Sequence, residues 1–399
     1  MTHHTIRQGL DIPLKGAPGP NVEEASSPST IALRTAESIG FKFKVDVAEG
    51  ESVALGQVLC HTRQFPEIVF RSPAGGKVRE IRRGERRAIQ EIVIDPDQGD
   101  EQSESFETWT ASSVESADPE ALRKHLLDAG MWPLIQQRPL AKIANPNFQP
   151  AAVFINAMAT APLAAQSHVL LEGREEDFAL GVAALQRMCS GKTYLTVGKG
   201  DPGLPGMDAL KNVEVHTFSG PHPSGLPGVH IRKIQPMKQN EYAWCLKAED
   251  AADIGYLLRT GVFPVERVIA LSGSPVTSPG YLRTRAGADI ATITAGKLDT
   301  SGPLRYLNGD VLAGTITTPE NHLGIHHSTL TVIPEGDDRE FMGWAMPGFT
   351  YFSALRTFAS SLLPRRQHVL DTRLNGGIRP IVSIGQWEKV FPYDIHLSY

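Results

Sequence analysis

The spacing of apolar and polar positions changes character several times along the chain, and each change marks a different kind of element. Residues 41–94 break into short apolar runs separated by turns: Val45-Asp46-Val47, Leu55-Gly56-Gln57-Val58-Leu59 and Ile68-Val69-Phe70. These predict short strands. A helical period begins at 118. Asp118 caps a helix with Pro119 at its first position, running Glu120–Ala129, stopped by Gly130 and buried along Leu122 and Leu126. Strands and helices then alternate. Ala151–Ala157 predicts a strand. Glu175–Cys189 predicts a helix, with Phe178, Val182, Leu185 and Cys189 spaced 4-3-4 on one face and Gly191 ending it. Thr193–Val197, Val213–Phe218 and Tyr242–Leu246 predict further strands, Glu249–Thr260 a helix closed by Gly261, and Arg267–Leu271 a strand. This alternation implies an open, partly parallel sheet covered by helices. From 262 to 334 the helical period fades, and Thr284–Ala288, Ile293 and Gly309–Ala313 suggest a small β-rich domain. Tyr351–Leu363 predicts a helix stopped by Pro364, and Arg373–Ile384 a hairpin turning at Asn375-Gly376.

The order Glu49-Gly50, Val53, Gly56-Gln57-Val58-Leu59 and Ser72-Pro73-Ala74-Gly75-Gly76-Lys77-Val78 resembles the biotinyl/lipoyl-carrier fold, a flattened β-barrel of hairpin-linked halves. True carriers hold an acceptor lysine on an exposed hairpin tip. The corresponding tip here, His61-Thr62-Arg63-Gln64-Phe65-Pro66-Glu67, contains no lysine, so neither biotin nor lipoate is expected. The fold reads as a reused scaffold.

The length, 399 residues, predicts two to four domains. The 39 basic and 44 acidic residues give a net charge of −5, which argues against nucleic-acid binding. Cys60, Cys189 and Cys245 are far apart, and without Cys-x-x-Cys the sequence excludes zinc ribbons and cysteine-ligated iron–sulfur clusters. A reducing, cytoplasmic location fits. The N-terminus lacks a secretory h-region. Ile143 to Leu171 carries no charged residue, but Asn145, Pro146, Asn147, Asn156, Pro162, Gln166 and His168 interrupt it, and no membrane span is expected. Residues 95–117, acidic and serine-rich, read as a surface connection.

The most informative stretch is Ser219–Ile231, which follows the strand Val213–Phe218. Its three prolines and three glycines between Gly220 and Gly228 predict a shaped loop. A loop leaving the end of a strand is where α/β proteins bind ligands or partners. Gly198-Lys199-Gly200-Asp201-Pro202-Gly203 is a formal G-x-G-x-x-G, but Pro202, Gly203, Pro205 and Gly206 argue against the helix a pyrophosphate needs. Ser190-Gly191-Lys192-Thr193 imitates the end of a P-loop, yet Gln186 stands where the first glycine belongs and a helix precedes it. The histidines, including His326-His327, form no metal set and no catalytic residue is assigned; hydrolase motifs are missing as well. Arg71, Lys77, Arg79, Arg82, Arg83, Arg86 and Arg87 cluster within 17 residues against Glu80 and Glu85. They read equally as a charged hairpin edge or as a docking patch for acidic protein or anionic lipid, with Arg79, Arg82, Arg83, Arg86 and Arg87 as its candidates.

Several segments, in order, resemble the family of A subunits of the Na+-translocating NADH:quinone reductase. They are Ile6 through Pro18, Ser72–Val78 with Arg83-Gly84-Glu85-Arg86-Arg87, Gly130-Met131-Trp132 through Arg138-Pro139, and Phe154 through Ala165. The loop Phe218–Ile231, Arg283-Thr284-Arg285-Ala286-Gly287-Ala288 and Gly343-Trp344 through Phe349 complete the set. The resemblance implies a multidomain α/β chain. Its parts would be an N-terminal segment plus carrier-like β-barrel (1–100), a Rossmann-like α/β domain (101–261), a β-grasp, ubiquitin-like SLBB domain (262–334) and a C-terminal α/β remnant (335–399). It implies a peripheral location on the cytoplasmic side of the bacterial inner membrane, in a six-subunit complex with the B to F subunits that oxidises NADH, reduces ubiquinone and exports Na+. It also implies kinship with the NADH-binding flavoprotein subunit of complex I and the Rnf C subunit, with the flavin site and cysteine cluster lost. NADH and Na+ would then be handled by the complex, and this chain would hold neither FMN nor an iron–sulfur cluster. Ubiquinone binding is ascribed to the family, and Phe218, Gly220, His222, Leu226 and His230 are the candidate quinone or interface loop, with His222 before His230 as donor to a quinone oxygen. The family continues past Tyr399 with a helical tail, so this chain is expected to be truncated or short. The alternatives are a free-standing flavin- or NAD-dependent oxidoreductase, a pure assembly scaffold, and a biotin or lipoate carrier.

Overall fold

The computed structural model describes residues 1–97, 99, 101–337, 340–354, 357–364, 366–374 and 387–393. The predicted α/β alternation forms a seven-stranded sheet. Its parallel part comprises β1 (Thr2–Thr5), β2 (Ala152–Asn156), β3 (Lys192–Gly198), β4 (Val213–Ser219) and β5 (Ala243–Lys247), ordered β1-β4-β3-β2-β5. Gln136–Arg138 and Lys142–Ile143 extend it antiparallel beyond β5.

Alternation along β2 divides the two faces. Val153 and Ile155 join the main core under α1 (Glu175–Met188), whereas Ala152 and Phe154 pack with Ile231 of α2 (Pro227–Ile234) on the opposite face. The helix α3 (Ala248–Thr260), closed by Gly261 at φ 67, crosses α1 closely. A Cβ on Gly181 would meet the Ala251 carbonyl oxygen at 1.8 Å, and one on Gly255 the Asp177 carbonyl oxygen at 1.7 Å. Only glycine at both positions permits this approach.

The carrier-like part is a barrel of two sheets. One holds Ile31–Arg34, Ile89–Pro96, Gly76–Arg83 and Ser52–Val53; the other holds Phe43–Val45, Val58–Thr62 and Val69–Arg71. Leu59, Cys60, Ile68, Phe70, Ile92 and Ile94 fill it and run into the core of the α/β sheet. The β-rich part is a six-stranded sheet of Thr315–Thr317, Leu304–Asn308, Thr329–Pro334, Glu266–Ser272, Gly280–Arg285 and Val22–Glu24, with the helix Ile290–Thr294 against it.

The N-terminal segment ahead of the barrel joins the other two sheets: Thr2–Thr5 pairs with β4 in the α/β sheet and Val22–Glu24 with Gly280–Arg285 in the β-rich sheet. Three expectations need correction. The 95–117 connection contains the helix Ala111–Ser116, because Thr110 and Ser113 form a capping box. Gly309–Ala313 is a turn region, not strand. Between Tyr351 and Leu363 the described residues form only the 3-10 turn Ala359–Leu362. There the Ser353 hydroxyl accepts from the amides of Thr357 and Phe358, supplying a local alternative to helical bonds. The hairpin expected at Asn375-Gly376 lies outside the described residues.

Candidate functional site at the sheet's switch point

The chain leaves β2 toward β3 and β4 on one side and returns to β5 on the other. Ligand crevices form where strand order reverses this way, outside the carboxyl ends of the strands. Here that place holds a cleft of about 340 Å3. Asn156 and Met158–Ala161 end β2, Leu246 and Lys247 end β5, and Gly225–Pro227 close one side. The β-rich sheet supplies the opposite wall through Gly309-Asp310, Ala313-Gly314 and His326–Thr329.

Several polar groups in the cleft are held by one another. Asn156 Nδ2 donates to the Gly225 carbonyl at 2.9 Å, and the Met158 amide donates to Asn156 Oδ1 at 3.0 Å. Thr160 Oγ1 accepts from the Gly225 amide at 3.0 Å and lies 3.2 Å from His222 Nδ1. Lys247 Nζ donates to the His326 carbonyl at 2.6 Å, and the Ser328 hydroxyl donates to Glu249 at 2.9 Å. Burial, then the Lys247 and Arg267 charges, push His326 down to about 4. Burial and Lys247 push His327 down to about 3. Burial beside Glu249 pushes Asp250 up to about 7. Near neutral pH the His326 and His327 imidazoles are therefore neutral, in a cleft that Arg138, Lys247, Glu249 and Asp310 also line.

The loop that the sequence singles out forms one rim of this cleft, but not in the expected way. It is shorter than Ser219–Ile231, because Pro227 takes the first position of α2, where a missing N–H costs nothing. Gly220, at φ 133, sits where a Cβ would meet the Ile6 carbonyl oxygen at 2.1 Å. Leu226 lines the cleft and is 45% exposed. His222 stands behind Thr160, half-buried, and burial holds its pKa below the ordinary value. Its Nε2 has no partner among the described residues.

Phe218 and His230 are inside the protein. Phe218 is fully buried against the His4 and His230 rings at 4.7 and 4.3 Å. His230 Nδ1 is 3.0 Å from Thr196 Oγ1, and its Nε2 is 2.8 Å from the Ser224 carbonyl. Burial pushes its pKa down to about 4. With both nitrogens engaged it has nothing to offer a ligand, and the pairing with Phe218 is core packing. Sequence reasoning missed Thr160, Lys247 and the His326–Thr329 wall, since only the packing of the β-rich sheet onto β5 brings them together.

Three family models match the chain: the NqrA N-terminal barrel-sandwich hybrid domain over residues 4–97, the NqrA second alpha/beta domain over 117–263, and the NQRA C-terminal domain over 268–318. The A subunit of the Na(+)-translocating NADH-quinone reductase of Photorhabdus laumondii is 38% identical over 395 residues, covering 99% of this chain and 87% of that protein. The corresponding protein of Neisseria meningitidis is 38% identical and that of Yersinia pseudotuberculosis 37%, each alignment covering 98% of this chain and 86% of the relative. The chain belongs to the family of NADH-quinone reductase A subunits. Among solved structures, an NAD+-reducing [NiFe]-hydrogenase matches at 15% identity and a TM-score of 0.40, over 56% of this chain and 48% of that one.

In this member of the family the G-x-G-x-x-G segment is closed by its own side chain. The Asp201 carboxylate accepts from the Gly198 amide at 2.9 Å, taking the N–H a phosphate oxygen would need, and the segment leads only to the 3-10 turn Met207–Ala209. Lys192 of the P-loop look-alike starts β3 and pairs with Glu214 at 2.6 Å. Among the described residues no group of three or more His, Cys, Asp or Glu side chains could hold a metal ion, and no helix is long and apolar enough to cross a membrane.

The basic cluster divides in two. Arg79 pairs with Asp95 at 2.6 Å, and Arg82 with Glu80 at 2.7 Å and Glu91 at 3.0 Å. Arg83, Arg86 and Arg87 stand exposed at the turn of the Gly76–Arg83/Ile89–Pro96 hairpin.

Proposed function

We propose that this chain is a peripheral, cytoplasmic-side component of a complex that oxidises NADH, reduces ubiquinone and moves Na+. It carries no redox group of its own. It docks onto the membrane subunits, and its switch-point cleft receives the quinone head group. The cleft is the observation that carries this reading. A quinone head needs an apolar slot with one or two donors for its carbonyl oxygens. Met158, Ala161, Ala165 and Leu226 supply apolar wall, and Thr160 and Lys247 supply donors. His222 acts through Thr160, whose hydroxyl it orients.

The free-standing flavin or nicotinamide enzyme is disfavoured by the Gly198–Gly203 loop, where Asp201 would place a carboxylate against a phosphate. The test uses the purified complex carrying Leu226→Asp or His222→Ala. A rise of about tenfold in the quinone KM, with NADH oxidation by an artificial acceptor unchanged, supports the reading. Unchanged quinone KM and turnover in both variants contradict it. A flavin absorption band in the isolated chain would restore the oxidoreductase alternative.

A further inference from the structure

Basic side chains for which the described residues offer no ionic partner gather at one end of the barrel. Strand Ile31–Arg34 runs antiparallel to Ile89–Pro96 with Arg34 opposite Glu91, so the chain after Arg34 emerges at the end where the Arg-rich hairpin turns. The Thr35 and Ala36 amides donate to the Gln90 carbonyl at 2.9 and 3.3 Å, fixing this segment beside the hairpin. It then presents Ile39, 78% exposed. At the turn itself, Arg86 and Arg87 both adopt left-handed backbone, φ 53 and 59. Among the described residues Arg83 reaches only the Arg87 carbonyl, at 3.5 Å.

The basic surface extends sideways. A Cβ on Gly40 would meet Lys142 Nζ at 2.9 Å, so Lys142 lies against the Ile39 turn. Two residues before it, Leu140 is 71% exposed. The Arg63 amide donates to the Lys42 carbonyl at 2.7 Å, and both side chains are exposed. Glu85 is the acid carried by the hairpin turn.

A protein partner of stable affinity covers a continuous patch with an apolar centre. Ile39 and Leu140 instead stand singly on separate turns, with Lys142 between them. Isolated aliphatic side chains projecting among arginines and lysines suit an interface where the cations meet phosphates and the aliphatics pass below them. We infer that this end of the barrel seats on an anionic lipid surface, with Arg83, Arg86 and Arg87 on headgroup phosphates and Ile39 and Leu140 among the outermost acyl carbons. This deepens the peripheral placement proposed above and rests on it.

The experiment is sedimentation of the full chain with vesicles of phosphatidylcholine alone or mixed with phosphatidylglycerol. The wild type should bind only the anionic vesicles and should be released by salt. Each arginine is worth about fivefold in affinity, so Arg83→Ala/Arg86→Ala/Arg87→Ala should weaken binding about a hundredfold. The corresponding triple lysine variant should retain it, and Ile39→Ser should weaken it several-fold. Equal binding to neutral vesicles, no binding by the wild type, or wild-type binding by the triple alanine variant would overturn the inference. A triple alanine variant that fails to assemble, from a chain that binds no vesicles, would assign the arginines to an acidic protein and overturn it too. Assembly into the reductase is read separately by NADH-quinone turnover, so that reading and this one fail independently.

Discussion

The Asp11 carboxylate accepts a hydrogen bond from the main-chain N–H of His222 at 2.9 Å, and the Leu10 N–H donates to the carbonyl of the same residue at 2.8 Å. The N-terminal segment thus acts as a template for the loop that rims the cleft. Gly9 makes the approach possible: its φ is +148, and a Cβ there would meet the His222 carbonyl oxygen at 2.3 Å. Asp11→Ala should cost about 1 kcal/mol in urea unfolding. Gly9→Ala, which adds steric overlap and backbone strain, should cost about 3 kcal/mol. Equal losses would show that the loop is not moulded by this contact.

The crossing of α1 and α3 gives a second expectation. Gly255→Ala places a methyl group where the Asp177 carbonyl oxygen lies, at 1.7 Å from the new Cβ, and no flexible side chain is available to yield. The helices must separate over the main core. A loss of about 3 kcal/mol is expected, against about 0.5–1 kcal/mol of stabilisation if only helix propensity changed. Thermal unfolding distinguishes the two by sign.

Asp253 is fully buried between two guanidinium groups. Arg174 Nη2 reaches it at 2.8 Å, and Arg267, on the strand Glu266–Ser272 of the β-rich sheet, hydrogen-bonds its other oxygen. The Asp253 charge holds the Arg174 pKa above its usual value against the effect of burial. Asp253→Ala removes the buried carboxylate that both guanidinium groups share and should cost about 3 kcal/mol. Because the pair ties α3 to the wall of the cleft, quinone KM should rise in parallel. Asp253→Ala unfolding like the wild type would contradict this account.

His230 makes stability depend on pH. Burial lowers its pKa from 6.5 to about 4, so between those values the unfolded chain binds a proton that the folded chain refuses. Its contribution is complete above pH 6.5 and is lost as the pH falls toward 4, by about 3 kcal/mol at most. Glu37 acts in the opposite sense. Burial raises it from 4.5 to about 7, so its contribution is present below 4.5 and is lost as the pH rises through 7. His230→Gln should therefore flatten the acid limb between pH 6.5 and 4 without altering the limb above 6.5. Denaturant titrations at several pH values measure both limbs.

Local signals carried far in this sequence. The Asp118 cap, the 4-3 spacing of Phe178, Val182 and Leu185, and the Gly261 stop all place helices where they occur. The prolines and glycines after β4 mark a loop in the sequence, because they exclude a regular ladder there, but its moulding by Gly9–Asp11 is not encoded locally. What the sequence hides is long-range. Thr2–Thr5 has no apolar signature, yet it closes the sheet edge by parallel pairing with residues more than 200 positions away. His230 looks like a free loop histidine until Pro227 is seen to start a helix that turns the ring inward. The far wall of the cleft arises only when His326–Thr329 packs against the end of β5, which no spacing pattern encodes.

The central claim is that the switch-point cleft meets quinone in the assembled complex. A photoreactive ubiquinone analogue bound to the intact complex, with adducts quantified for every polypeptide and every peptide, tests it most directly. Labelling on this chain should concentrate in the peptides holding Asn156–Ala165, Gly225–Pro227 and Gly309–Gly314, and excess ubiquinone should suppress it. Label confined to the other polypeptides of the complex, or spread over this chain without suppression, would contradict the account.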